Sequence, residues 1–281
     1  LTAGASLGLA VLTEGAANVF AAPFLLFFLI TGRGRSLSRK LGQGLGVLLV
    51  LLALTGPHYI RNCDVFGSIL GPGGEGDYTY VNREFSLPVL VSNVLRNLGL
   101  HLGTPWRTVN ALVEHVITAA DSAMGIAPDD PRNTWPVTRF AVGRPVAHED
   151  LAGSGLHLLL VVGAALAGWR LRPDGRVKGY VGCLVVAFLL FCLLLRWQPW
   201  HSRLQLPLFV LAAPVVGVLW QRVNAKLLAA VLLMFAASSW YFLTGNKTQP
   251  LAGPRAVFGM TRADQRAAHA ALCALRGDQI A

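Results

Sequence analysis

The sequence predicts an all-α fold, a polytopic transmembrane helix bundle with an extracytoplasmic, partly helical segment. Three observations point there. Hydrophobic residues make up 54% of the 281 and charged residues only 14%, against about 25% charged in a soluble domain. The apolar residues come in runs of about 15 to 20, the length of membrane-crossing helices. The net charge of +10 is gathered in short junctions between those runs. Arg33, Arg35, Arg39 and Lys40 form one, Arg170, Arg172, Arg176 and Lys178 a second, and Arg222 and Lys226 a third. That is the positive-inside pattern of cytoplasmic loops, and it argues against a nucleic-acid partner.

Leu1–Ile30 is too long for one crossing, since 30 helical residues span roughly 45 Å. Thr13-Glu14-Gly15 divides it into a helix to about residue 13 and another from about Ala16 to Thr31. The apolar start and the lack of a cleavable signal pattern suggest a fragment whose first helix is truncated. After the basic loop 32–40, Leu41–Gly56 crosses outward, and Pro57 should end that helix, because proline disfavours helix at the preceding residue.

Residues 57–153 form the extracytoplasmic segment. A glycine-rich loop, Gly71–Gly76, lacks the Gly-Lys-Ser/Thr ending of a phosphate loop and reads as linker. Ser86–Leu100 has Leu87, Leu90, Val91, Val94, Leu95 and Leu98 on one face, an amphipathic helix. Thr104-Pro105 reads as the start of a second, with Val109, Leu112, Val113, Val116 and Ile117, ending near Gly125. Both are expected to lie on the membrane surface or to cover the bundle. Residues 154–243 supply four crossings, near 155–169, 179–195, 204–220 and 227–243, and 244–281 is an outer tail. The tail holds a sequon, Asn246-Lys247-Thr248, and a short charged helix over Arg262–Arg276. Cys183 and Cys192 read as packing residues. Cys63 and Cys273 share the outer side, but spacing alone does not pair them.

Polar residues gather at the outer ends of the apolar runs. The densest stretch is Arg196-Trp197-Gln198-Pro199-Trp200-His201-Ser202-Arg203-Leu204-Gln205, set between uncharged Gly179–Leu195 and uncharged Leu206–Trp220. Tryptophan prefers the membrane boundary, and arginine can lift its charge there along an apolar stem. This reads as a polar turn at one membrane face. Glu14, His58, Arg61, Asn62, His148, Glu149 and Asp150 fall on the same side. His101 and His115 read as surface or helix-face histidines, and His157 as a packing one. The middles of the helices carry essentially nothing ionisable, which disfavours ion-coupled transport. A site at the outer boundary suits a substrate with a greasy tail and an anionic head, because arginine forks match phosphate oxygens. Each candidate also has a plain alternative: lipid headgroups for Arg196 and Arg203, helix capping and pairing with Asp64 for Arg61-Asn62, and a solvated turn for His148-Glu149-Asp150.

Three stretches resemble the polytopic glycosyltransferases of the C superfamily, in particular the bacterial family 39 and protein O-mannosyltransferase-like members. Gly8-Leu9-Ala10-Val11-Leu12-Thr13-Glu14-Gly15 is similar to their Gly-Leu-Ala-x-Leu-Thr-Lys-Gly helix end. Pro57-His58-Tyr59-Ile60-Arg61-Asn62 with Phe66-Gly67-Ser68 resembles their Pro-x-x-x-Arg-Asn…Tyr-Gly-Ser/Asn segment. Arg203-Leu204-Gln205-Leu206-Pro207 resembles their Arg-Tyr-x-x-Pro start of a late helix. Glu14 stands where the family has lysine, and Leu204 where it has tyrosine.

The resemblance implies transfer of a sugar from a polyprenyl-phosphate carrier to a glycan, lipid or protein acceptor, on the outer face of a bacterial inner membrane. It implies a catalytic aspartate upstream of residue 1, and donor-phosphate binding by Arg61 and Arg203 with Asn62, Arg196 and His201 nearby. His148, Glu149 and Asp150 would line the sugar or acceptor side, and Glu14 would contact a cation or sugar. No resident cofactor or protein metal site is expected, with a divalent cation left open. An O-antigen ligase or polymerase and a non-enzymatic flippase of lipid-linked sugars remain alternatives.

Overall fold

A computed structural model of the chain describes residues 2–31, 36–69, 80–148, 150–171, 175–220, 223–246, 250–253, 256, 258–264 and 267. Arg33, Arg35, the loop Gly71–Gly76, Glu149, Arg172, Arg222, Lys247, Thr248, Cys273 and most of Arg262–Arg276 lie outside these residues. Every regular element among the described residues is a helix: α1 (Thr2–Thr13), α2 (Ala17–Thr31), α3 (Leu37–Phe66), α4 (Leu87–Gly99), α5 (Arg107–Ala123), α6 (Gly155–Leu171), α7 (Gly175–Leu194), α8 (His201–Leu204), α9 (Leu206–Trp220) and α10 (Ala225–Thr244). Isolated bridges of Val81 with Leu195 and of Thr134 with Trp197 tie loops together.

Among the described residues, three helices are long and apolar enough to cross a membrane: α3, α7 and α10. Shorter apolar helices run over Thr2–Thr13, Ala17–Thr31, Gly155–Ala167 and Leu206–Val218. Helix α1 packs along α3, α2 along α7, and α6 along α9, while α7 also meets α9 and α4. Small residues permit the closest approaches: a Cβ on Gly4 would lie 2.7 Å from the Val47 carbonyl oxygen. Phe20 of α2 and Phe191 of α7, both fully buried, stack with ring centroids 5.2 Å apart. A second cluster joins Ala164, Val181, Leu184, Ala212 and Val215 of α6, α7 and α9.

The structure corrects one boundary. Helix α3 does not stop at Pro57 but runs through it to Phe66. Proline removes one backbone donor and can be absorbed within a long helix when its neighbours hold the winding. The end is made instead by Gly67, whose φ of 66° lies in the left-handed region and whose N–H donates to the Cys63 carbonyl. Only glycine adopts that cap at no steric cost. His58, Arg61 and Asn62 therefore ride on the last turns of α3 rather than opening a loop.

The two amphipathic helices form as expected, within two residues at their starts, but their inward sides are polar. Helix α4 buries Ser92, Asn93, Arg96 and Asn97 beside Val89, while Leu87 is 72% exposed. Leu90, Val94 and Leu95 are partly buried against neighbouring clusters. Helix α5 buries Asn110, Ile117 and Asp121 and leaves Val109, Leu112 and Val116 outside. Its start moves from Thr104-Pro105 to Arg107, because the Thr104 hydroxyl bonds Asn110 and the Trp106 backbone instead of capping directly.

Candidate functional site

The turn after α7 is stitched at both edges. Arg196 N donates to Tyr80 O (2.9 Å), Trp197 N to Asn133 O (2.7 Å) and Trp135 N to Trp197 O (2.9 Å). A helix leaves its last four carbonyls without intrahelical donors, and burying them bare is costly. Here two asparagines supply the donors. Asn93 Nδ2 reaches Cys192 O (2.9 Å) and Leu195 O (3.2 Å), and Asn82 Nδ2 reaches Leu193 O (2.7 Å). Asn82 N closes on Leu194 O (2.9 Å).

From this cap a line of directed hydrogen bonds crosses the turn. Ser154 N–H donates to His101 Nδ1 (3.0 Å), so the His101 proton sits on Nε2 and goes to Gln205 Oε1 (2.9 Å). Gln205 Nε2 then donates to Asn97 Oδ1 (2.7 Å), which also accepts from His201 Nδ1 (2.9 Å). Because Asn97 Oδ1 has no proton to give, His201 carries its proton on Nδ1. Its Nε2 has no partner among the described residues and lies beside the Phe191 ring, 4.7 Å between centroids. Burial pushes the His201 pKa down to about 3, and also lowers that of His101 despite the Gln205 bond. Both rings are neutral fixtures of the scaffold.

Below this line lies a buried ion pair. Arg96 donates from Nε to Asp121 Oδ2, from Nη1 to Thr134 Oγ1 and from Nη2 to Ala127 O, each at 2.7 Å. Its guanidinium carbon stands 5.8 Å from the Phe140 ring centroid. Three groups, one on α5 and two in the loop between α5 and α6, thus fix one planar fork, and with it that loop.

At the rim of the turn, Arg203 pairs through Nη1 with Asp150 Oδ1. The Ser202 hydroxyl donates to the Asp150 carbonyl (2.8 Å), and the Asp150 N–H to His148 Nδ1 (3.1 Å). The Arg203 side chain is 47% exposed. One edge of its fork is committed, and Nε and Nη2 make no bond among the described residues.

The loop between α5 and α6 leaves a cleft of about 370 Å³ beside the turn, lined in part by Asp129, Thr134, Trp135, Thr138, Arg139 and Arg196. Arg196 is buried, with Nη2 on Pro131 O (2.6 Å). Its pKa is lowered by burial and by Arg83. The adjacent Asp130 is raised by burial, but bonds from Arg132 outweigh this and hold it below the usual carboxylate range.

No protein-family model, curated protein or solved structure matches the chain.

Among the residues predicted from sequence, the structure brings together Arg196, His201, Arg203, Gln205, His148 and Asp150. It corrects three expectations. His201 is fully buried against Asn97 and Phe191, so it supports the turn and cannot meet a substrate in this conformation. His101 is not a surface histidine but a buried link to Gln205. Arg196 does not snorkel, because its guanidinium is held inside on a carbonyl. Asn62, inside the last turns of α3, donates to Ile69 O beyond the helix end (3.0 Å) and meets His58 (3.2 Å), while Arg61 beside it is exposed. No hydrogen bond, ion pair or described cleft joins Arg61 to Arg203. Glu14 sits half-buried in the turn between α1 and α2, and its carboxylate has no partner among the described residues. No group of three His, Cys, Asp or Glu among the described residues is placed to hold a metal. His157 packs on Phe235 (4.6 Å between centroids) and Phe209.

Missing from the sequence reading were Asn82, Asn93, Arg96, Asn97, Asp121 and Asn133. A signal existed: Asn93, Arg96 and Asn97 recur at three- and four-residue spacing opposite the apolar face of α4. A polar face that regular fits an interior network as well as water.

Proposed function

We propose that the chain is part of a polytopic membrane glycosyltransferase of the bacterial inner membrane, moving a sugar from a polyprenyl-phosphate carrier to an acceptor on the outer face. The observation that carries this reading is Arg203. It is half-exposed, aimed by Asp150, and placed in a short polar turn between the uncharged part of α7 from Gly179 onward and the uncharged helix α9. Two of the three basic junctions of the sequence lie at the opposite ends of the same helices, as a cytoplasmic side requires.

A carrier lipid would lay its hydrocarbon beside the apolar helices and its phosphate at the turn. The unbonded edge of the Arg203 fork would take two phosphate oxygens. In transfer, the acceptor hydroxyl forms a new bond to the anomeric carbon as the bond from that carbon to the phosphate oxygen breaks. The acceptor proton passes to the carboxylate base of this enzyme class. The electron pair leaves with the phosphate, whose charge Arg203 stabilises. Arg61, exposed at the end of α3, would meet headgroups or a second part of the donor. No hydrogen bond or ion pair among the described residues ties it to the turn, and the weight of the reading rests on Arg203.

The test is sugar transfer by the intact protein in lipid nanodiscs. Polyprenyl-phosphate mannose and polyprenyl-phosphate glucose, radiolabelled in the sugar, are offered with membrane extract as the acceptor source. Label passing from the lipid fraction to an acceptor supports the reading. Retention of all label on the carrier, with movement of intact donor between leaflets, would replace it with the flippase alternative.

A further inference from the structure

The cleft beside the turn has its own chemistry. Trp135 stacks on Tyr80, with centroids 4.7 Å apart and planes at 26°, and meets Trp200 edge to face at 6.4 Å. The Trp135 backbone is pinned to Trp197, so this one ring of the lining, backed by Tyr80 and Trp200, is set by the bridge between Thr134 and Trp197. Asp129 and Arg139 are both exposed and both line the cleft. Neither has a partner among the described residues, and they do not pair with each other. The contrast with their neighbours is informative: Asp130 and Arg132 do pair, at 2.8 Å. Val137, also in the lining, has a φ of 56°, a costly conformation for a β-branched residue. Strain of this sort persists only where the surroundings impose it.

These features select a ligand class. A sugar ring offers an apolar C–H face to an aromatic wall and a rim of hydroxyls that both donate and accept. A carboxylate accepts from such hydroxyls and a guanidinium donates to them. A phosphate would gain from Arg139, but it would meet repulsion from Asp129, and the Arg196 fork in the same lining already gives Nη2 to the Pro131 carbonyl. A volume near 370 Å³ falls at the small end of ligand sites, about 300–1,000 Å³. We propose that the cleft formed by Asp129, Trp135, Thr138 and Arg139 binds saccharide, separately from the anion site at Arg203. The inference stands on the geometry of the loop between α5 and α6. It does not require the transfer reading, to which it would add the acceptor side.

Saturation-transfer NMR on the intact protein in nanodiscs tests it, with maltotriose, mannotriose and chitotriose as probes and irradiation in the aromatic region. Saturation should reach the ring protons of at least one probe. Asp129→Asn and Arg139→Gln, both exposed substitutions, should each weaken that probe's Kd several-fold, and Trp135→Ala about tenfold. His115→Ala, exposed on α5, should change nothing. Inorganic phosphate should not compete. Absence of saturation with all three probes would overturn the inference. So would undiminished binding in both Asp129→Asn and Arg139→Gln, or displacement of the sugar by phosphate. If Trp135→Ala does not fold, the two charge variants decide. Loss of sugar transfer with probe binding intact would count against the proposed function alone.

Discussion

Arg96 Nε and Asp121 Oδ2 meet at 2.7 Å with neither side chain exposed at all. The pair joins α4 to α5, and the same guanidinium reaches Thr134 and Ala127 in the loop that walls the cleft. A charge taken out of water this completely is tolerated only while its partners stay in place.

Removing one partner is therefore far worse than removing both. Asp121→Ala should cost about 3–5 kcal/mol, because it strands the Arg96 charge. The double variant Arg96→Met with Asp121→Leu should cost clearly less than Asp121→Ala alone. Thermal unfolding of the detergent-solubilised protein checks both. Equal losses in the two variants would show that packing, and not charge, governs the site.

His201 gives a pH dependence with a defined sign. Its folded pKa is lowered to about 3 by burial, below the unfolded value near 6.5. The unfolded chain then binds the extra proton between these limits. The contribution is complete above pH 6.5, and falls by about 1.4 kcal/mol per unit as pH drops toward 3. At pH 5 the loss is about 2 kcal/mol. His101, lowered in the same direction, adds to it. His201→Gln should be less stable at pH 7.5 but show a shallower fall between pH 6.5 and 4.5. Parallel stability curves for the two proteins would contradict the assignment.

Gly155 opens α6 where the chain passes the His101 backbone. A Cβ there would stand 2.5 Å from the His101 carbonyl oxygen, which has no flexible end to yield. Gly155→Ala should destabilise by about 1–3 kcal/mol. It should also disturb the bond from Ser154 N–H to His101, visible as altered histidine ring signals by NMR. Gly163→Ala, in open space on the same helix, is the matched control and should leave both readouts unchanged.

The helices were legible because apolar runs and their basic junctions report directly on long buried or lipid-compatible segments. Starts and ends of α2, α6, α9 and α10 fall close to the sequence boundaries. Pro57 misled because a local backbone rule was outweighed by a helix that continues ten residues to its glycine cap at Gly67. The turn from Arg196 to Gln205 was found as a polar island, but its division of labour was not. Sequence shows that Arg196, His201 and Arg203 are near one another. It does not show that Asn97 claims His201 and Pro131 claims Arg196, leaving Arg203 at the surface. The contacts that decide this come from Asn97 and Pro131, many residues upstream. The polar side of α4 was hidden for a related reason: amphipathic spacing identifies two faces without saying which one meets protein.

Affinity of the intact protein for undecaprenyl phosphate, in wild type and in Arg203→Ala, tests the central claim most directly. Undecaprenol, which lacks the anionic head, serves as the control ligand. The account predicts at least about tenfold weaker binding of the phosphate in the variant, with unchanged undecaprenol binding and an unchanged unfolding midpoint. Equal affinity of both proteins for undecaprenyl phosphate would contradict it.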